Sequence, residues 1–331
     1  MKKLLFGVLM LSFLSACNSD NVSNQSEELG NNAATPTGSA LQRGCPSEEI
    51  RKIALQNSPE LRQKYSELET KTEKFVNDLK LGKVLSDGTV EIPVVVNVLY
   101  RTSSENISAS RIAEQIAVLN ADYGGTNSDA ANIPTAFQSL KAGDVKVRFR
   151  LANTVRKSTT KTSWSTNDAM KRSSSGGIDA TSPANYLNIW VVGNMGQILG
   201  YATFPESSGL WNDGVVIAAS YFGKTGASAP FNKGRTATHE VGHYLNLRHI
   251  WGDANCGNDL VSDTPTQTGP NYGTPSYPLY NTCGGVQRSV MFMNYMDYVD
   301  DAAMFMFSAG QKTRMQSVVA SSGARSGLRL Y

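Results

Sequence analysis

The chain has 331 residues, 40% of them hydrophobic and 18% charged, proportions of a globular protein and too apolar for a disordered one. Lys and Arg number 31 against 28 Asp and Glu, for a formal charge of +3, which is too even for the basic patch that nucleic acid needs. No apolar run reaches the ~18–20 residues of a membrane-spanning helix, and the three histidines, His239, His243 and His249, exclude any catalytic triad that draws its histidine from elsewhere.

In chain order, residues 1–17 (MKKLLFGVLMLSFLSAC) read as an export signal. Lys2 and Lys3 make a positive start, and Leu4 to Ala16 form an apolar stretch too short to span a bilayer. The end, Leu14-Ser15-Ala16-Cys17, resembles the bacterial lipobox, which implies that Cys17 is lipidated and becomes the new amino terminus. A plain secretory signal ending in cysteine is the alternative. Residues 18–42 are poor in aromatics and rich in Asn, Ser, Thr and Gly, as in a flexible tether.

Residues 47–80 are predicted helical. Ser58-Pro59-Glu60 offers an N-cap, a proline at the first helical position and an acid in the first turn. Leu61, Tyr65, Leu68, Phe75 and Leu79 then mark one partly apolar face. Gly82 and the Ser86-Asp87-Gly88 turn close this region. Val90 to Tyr100 is a buried-strand pattern with Pro93 near its start. Ser108 to Ala121 reads as an amphipathic helix carrying Ile112, Ile116 and Leu119. Strand candidates follow at Val145–Leu151, Tyr186–Val192, Gly200–Phe204 and Gly214–Ser220. Alternation of the two element types predicts an α/β layered domain over 89–331, with helices dominating its later part. Before it lie the signal, 1–17, and a tether with a helical segment, 18–88.

His239-Glu240-Val241-Gly242-His243 carries the chemistry. Histidines at i and i+4 share one helix face, where two imidazoles can hold one zinc ion. Glu240 flanks the metal without binding it and is placed to act as general base. His249 stands six residues beyond His243, where a helix cannot present it beside the other two, so the chain must leave the helix sharply. The window resembles the metzincin zinc motif HExxHxxGxxH, with Asn246 in place of its glycine. Asparagine accepts positive φ more readily than other non-glycine residues, so the turn is kept.

Downstream, Asn294-Tyr295-Met296-Asp297-Tyr298 resembles the methionine turn of the pappalysin family, peptidase M43. The likeness extends to the opening IPVVVNVLY, the 107–120 helix and Ser262-Asp263-Thr264-Pro265. It implies a metzincin-type domain, α/β leaning to α+β: a twisted sheet with an antiparallel edge strand, an active-site helix and a methionine turn. It also implies an exported endopeptidase with one catalytic zinc on His239, His243 and His249. Met296 would be the floor under the metal and Tyr298 a hydroxyl that supports the oxyanion. Zinc would acidify its water, and Glu240 would take the proton and pass it to the leaving amine. A peptide or protein substrate would lie along an edge strand, for which Gly200–Phe204 is the candidate, with an interior strand as the alternative.

The cysteines divide accordingly. Cys17 goes to lipid, and the resemblance supports a Cys256–Cys283 disulfide, which an exported setting permits. Cys45, in Arg43-Gly44-Cys45-Pro46, is left over. Its thiolate suits a fourth zinc ligand that holds residues 18–88 as a latent propeptide; a free or intermolecular thiol is the blander reading. The resemblance implies structural calcium near Asp253, Asn258, Asp259 and Asp263, with Asp263 and Thr264 the best match. Between Thr264 and Met296 there is no Asp or Glu, which points away from a strict arginine preference and toward an apolar or mixed one. The competing function is a catalytically silent metzincin-fold binding module, against which Glu240 beside three intact ligands argues.

Overall fold

The computed structural model describes residues 41–81 and 88–329. Cys17, the signal and most of the tether lie outside the described residues. The first segment holds two helices, α1 (Ser47–Asn57) and α2 (Pro59–Lys80). Ser58 ends one and caps the next, its hydroxyl accepting from Leu61 N at 3.2 Å, with Pro59 at the first helical position.

The remainder is built on a five-stranded sheet: β1 (Val90–Tyr100), β2 (Val147–Ser158), β3 (Leu187–Val192), β4 (Gly200–Ala202) and β5 (Val215–Ala218), in the order β2-β1-β3-β5-β4. The first four in that order run parallel, and β4 pairs antiparallel with β5 at the edge. The expected edge strand is therefore present, three residues long. β3 and β5 are buried along their whole length, as expected of parallel strands covered on both faces. Leu187, Ile189, Val191, Val215 and Ile217 point into the main core, beneath α3 (Ala109–Gly124) and α4 (Arg235–Tyr244). Trp190, Val192, Val216 and Ala218 face a second core with Trp164, Met170 and Tyr201.

β2 runs to Ser158, well past the expected Leu151, by following β1 through a register shift at Val94/Val95. The expectation that helices dominate the later part is corrected: after α4 the described residues hold one more α-helix, α5 (Ala309–Val319). Residues 245–308 are turns plus a small hairpin, β6 (Tyr280–Cys283) with β7 (Val286–Ser289). A disulfide joins Cys256 to Cys283. Buried side chains replace a backbone ladder there. Asp297 accepts from Asn271 N (2.8 Å), Asn271 Nδ2 (2.7 Å), Gln267 Nε2 (3.1 Å) and Tyr298 N (2.8 Å).

Segment 41–81 lies against this body. Glu69 pairs with Arg314 of α5 at 2.6 Å, Ser317 reaches Thr72 at 3.3 Å, and Arg248 bonds the Tyr65 hydroxyl. Among the described residues, no helix is long and apolar enough to cross a membrane.

Candidate active site

All ten residues of α4 are buried, so its i, i+4 histidines are held by packing on every side. Each ring is also tied at its far nitrogen. His239 Nδ1 meets Tyr295 O at 2.7 Å, and His243 Nδ1 meets Leu247 O at 2.8 Å. His249, beyond the helix, is tied to Asp253 Oδ1 at 2.6 Å and stacked on Trp251, centroids 4.4 Å apart. Asn246 makes the turn that returns His249 to the cluster, at φ 75°.

With the Nδ1 atoms engaged, the Nε2 atoms turn toward one another: His243 and His249 stand 3.1 Å apart, and His239 Nε2 is buried without a partner. Cys45 Sγ completes a group whose ligand atoms all lie within 4.8 Å of one another. Burial, then the neighbouring histidines, push His239 and His243 well below their ordinary pKa, so both rings are neutral, as metal ligands must be. Three neutral imidazole nitrogens and one sulfur, buried and converging, fit a tetrahedral zinc ion. Among the described residues this is the one such convergence of His, Cys, Asp or Glu.

Glu240 lies beside the cluster, its pKa raised to about 7 by burial. Its Oε2 accepts from Cys45 Sγ and Ser47 Oγ, each at 3.2 Å. Burial, then the Glu240 charge, hold the Cys45 thiol well above its usual range. A cation among the four ligand atoms would reverse that preference. The Tyr298 hydroxyl, whose pKa burial also pushes up so that it keeps its proton, donates a hydrogen bond to Cys45 O at 2.7 Å.

Two glycines make room. A Cβ on Gly242 would meet Met296 Sδ at 2.4 Å, so the methionine turn passes directly against α4 between His239 and His243. A Cβ on Gly200 would meet Val216 O at 2.8 Å and Glu240 Cγ at 3.0 Å, so β4 runs immediately beside the acid.

Residues 43–47 run along that edge strand. Leu199 N donates to Gly44 O at 3.2 Å and Ala202 N to Ser47 Oγ at 2.9 Å. The Arg43 guanidinium enters a buried recess, 2.7 Å from Asp301 Oδ1, 3.3 Å from Thr236 Oγ1 and over the Phe231 ring at 4.8 Å. Asp301 Oδ2 is fixed by Lys233 N and Arg235 N, at 2.7 and 3.2 Å. No sequence signal singled out Asp301 or Ser47, or the close approaches that Gly200 and Gly242 permit. Asp301 lies three residues past the methionine-turn motif, beyond the acid-free 264–296 stretch.

Asp263 and Thr264 stand apart from this cluster. Asp263 accepts from Ser308 Oγ at 2.7 Å and Gly310 N at 2.8 Å, at the start of α5, and the Thr264 hydroxyl meets Asp259 Oδ2 at 2.8 Å.

Known proteins resemble the chain in sequence and in fold. The profile of Peptidase M43, described as Pregnancy-associated plasma protein-A, matches residues 175–320. Extracellular metalloprotease 1 of Coccidioides posadasii is 35% identical over 243 residues, 69% of this chain and 76% of its own length. An extracellular metalloprotease of Uncinocarpus reesii is 32% identical over 75% of this chain and 83% of its own. Among solved structures, Tannerella forsythia mature mirolysin with a cleaved peptide is 44% identical, with a TM-score of 0.71, covering 74% of this chain and 97% of its own. A promirolysin mutant from the same organism is 40% identical, with a TM-score of 0.77, covering 87% and 98%. By these matches the chain belongs to the pappalysin family, peptidase M43, and is a zinc metallopeptidase of metzincin fold.

Proposed function

We propose that the protein is an exported endopeptidase, held latent by residues 41–81 and cutting proteins beside arginine. The observation that carries this reading is Cys45 Sγ among the three histidine nitrogens, with Glu240 and Tyr298 both bonded to the same short segment. Zinc bound by His239, His243 and His249 supplies a Lewis acid that acidifies water and polarises a carbonyl. Glu240 then accepts a proton from the water that replaces Cys45 Sγ and delivers it to the leaving amine. Tyr298, which now donates to the Cys45 carbonyl, donates instead to the oxygen of the scissile bond as charge develops there. The backbone of β4, now bonded to Gly44 and Ser47, lines up the substrate. Met296 floors the site, and intact Glu240 speaks against a silent binding module.

A removable segment ahead of the catalytic domain is supported by promirolysin, which matches more of this chain than mature mirolysin does, 87% against 74%. On this reading residues 1–17 are the signal, 18–88 the tether and propeptide, and 89–331 the catalytic domain. The relatives named extracellular support export. Anchoring to a bacterial envelope through lipid on Cys17, with release after processing as the alternative fate, rests on the sequence alone. So does calcium: a cation on Asp263 and Thr264 would have to displace the bonds those side chains make to the start of α5 and to Asp259.

The apolar or mixed preference expected from the empty 264–296 stretch gives way to the Asp301 recess, which already holds a guanidinium. The test is cleavage-site profiling of a denatured protein mixture with the trimmed chain. Cuts should cluster beside arginine, stop with chelator, and lose their arginine bias in Asp301→Asn. Chelator-resistant cutting, or an unbiased profile from the parent, contradicts the reading.

A further inference from the structure

Segment 41–81 sends a second arginine into the body. Arg51 of α1 donates from Nε to Glu206 Oε1 at 2.6 Å and from Nη2 to Glu206 Oε2 at 3.2 Å. Its guanidinium lies over the Phe204 ring at 4.0 Å and is covered on the segment's side by Tyr65 at 4.6 Å. Phe204 in turn packs against the ligand ring of His243, centroids 5.2 Å apart. Arg51, Glu206 and Phe204 are all buried. The carboxylate fork and the aromatic plane belong to the body, immediately after β4; the guanidinium and Tyr65 belong to the segment.

A planar fork meeting a carboxylate edge-on over an aromatic face selects guanidinium over the compact ammonium of lysine. Once the segment departs, Glu206 loses its hydrogen-bonded partner and keeps only the unbonded charge of Arg325, which is committed to Asp213. The site then has the shape and charge for another arginine. Its position gives that arginine a source. The segment meets β4 first at Leu199, through Gly44, and then at Ala202, through Ser47. Arg43 and Arg51 thus enter from opposite ends of this passage, with the histidine cluster between them.

We infer that Glu206 and Phe204 form a second guanidinium subsite in the processed enzyme, which favours protein substrates carrying arginine on both sides of the cut. The inference rests on the reading of residues 41–81 as a removable blocking segment.

Two measurements test it. The first uses the full chain with Arg51→Ala, titrated with ethylguanidinium while its unfolding midpoint is followed. A saturable rise is expected, much weaker with butylammonium and absent when Glu206→Gln is added. No saturable rise, or the same rise without Glu206, overturns the subsite. The second needs no variant. The trimmed parent is given two peptides that share one arginine, the second of them with another arginine across the cut. A gain of roughly tenfold or more in kcat/KM, mostly in KM, is expected for the second peptide. Equal values overturn the second subsite alone, whereas a trimmed chain that cuts neither peptide overturns the peptidase reading and the substrate role with it.

Discussion

Gly242 sits between the two helical histidines, with Met296 Sδ 2.4 Å from where its Cβ would be. Gly242→Ala should cost ~1–3 kcal/mol by overpacking and loosen metal retention, both measurable by thermal unfolding and metal analysis of the purified chain. Asp259 moves stability the other way. Burial raises its pKa from 3.8 to about 6, so the folded state takes up a proton that the unfolded chain binds only at lower pH. Its contribution is favourable below pH ~4 and is lost as pH rises through 6, a penalty of ~2–3 kcal/mol at neutrality. Asp259→Asn keeps an acceptor for Val261 N and an amide for the Thr264 hydroxyl. Unfolding curves should show it more stable than the parent at pH 7, with the gain vanishing toward pH 4; a loss at pH 7 contradicts this. At this scale the clustering of the three histidines and the left-handed Asn246 were legible because both follow from spacing along one turn or one motif. Asp301 and Glu206 were not. Their partners, Arg43 and Arg51, lie 258 and 155 residues away in the chain, and no local pattern marks such pairs.

The strands of the sheet were legible where both faces are buried, since β1, β3 and β5 are runs of Val, Ile and Leu. The second half of β2 was not, because its residues are mostly exposed at a sheet edge and carry no apolar alternation. The expected dominance of helices in the later part failed over residues 245–308, which fold through buried polar side chains such as Asp297 and Gln267 that leave no periodic trace. The Cys256–Cys283 bridge closes a 27-residue separation in this stretch. In the chain-entropy model that loop is worth ~3 kcal/mol. A Cys256→Ser, Cys283→Ser double variant should therefore unfold at lower denaturant by about that amount. An unchanged midpoint would mean that the polar network alone holds the loop.

At the scale of the whole molecule, three anchors hold segment 41–81 across the site: Arg43 on Asp301, Cys45 among the histidines, and Arg51 on Glu206. The segment bonds Glu240, Tyr298 and the edge strand at once, so one removal would free the proposed general base, the proposed oxyanion donor and the substrate-aligning strand together. Cys45→Ala alone should release only part of the activity in the full chain, because the two buried ion pairs remain. The measurement that tests this account most directly is the rate of casein hydrolysis by the full chain during limited proteolysis, beside a Glu240→Ala twin. A near-silent start is expected, with activity rising as segment 41–81 is lost, abolition by chelator and silence of the twin throughout. Full activity before any cleavage, or activity in the trimmed Glu240→Ala chain, would contradict it.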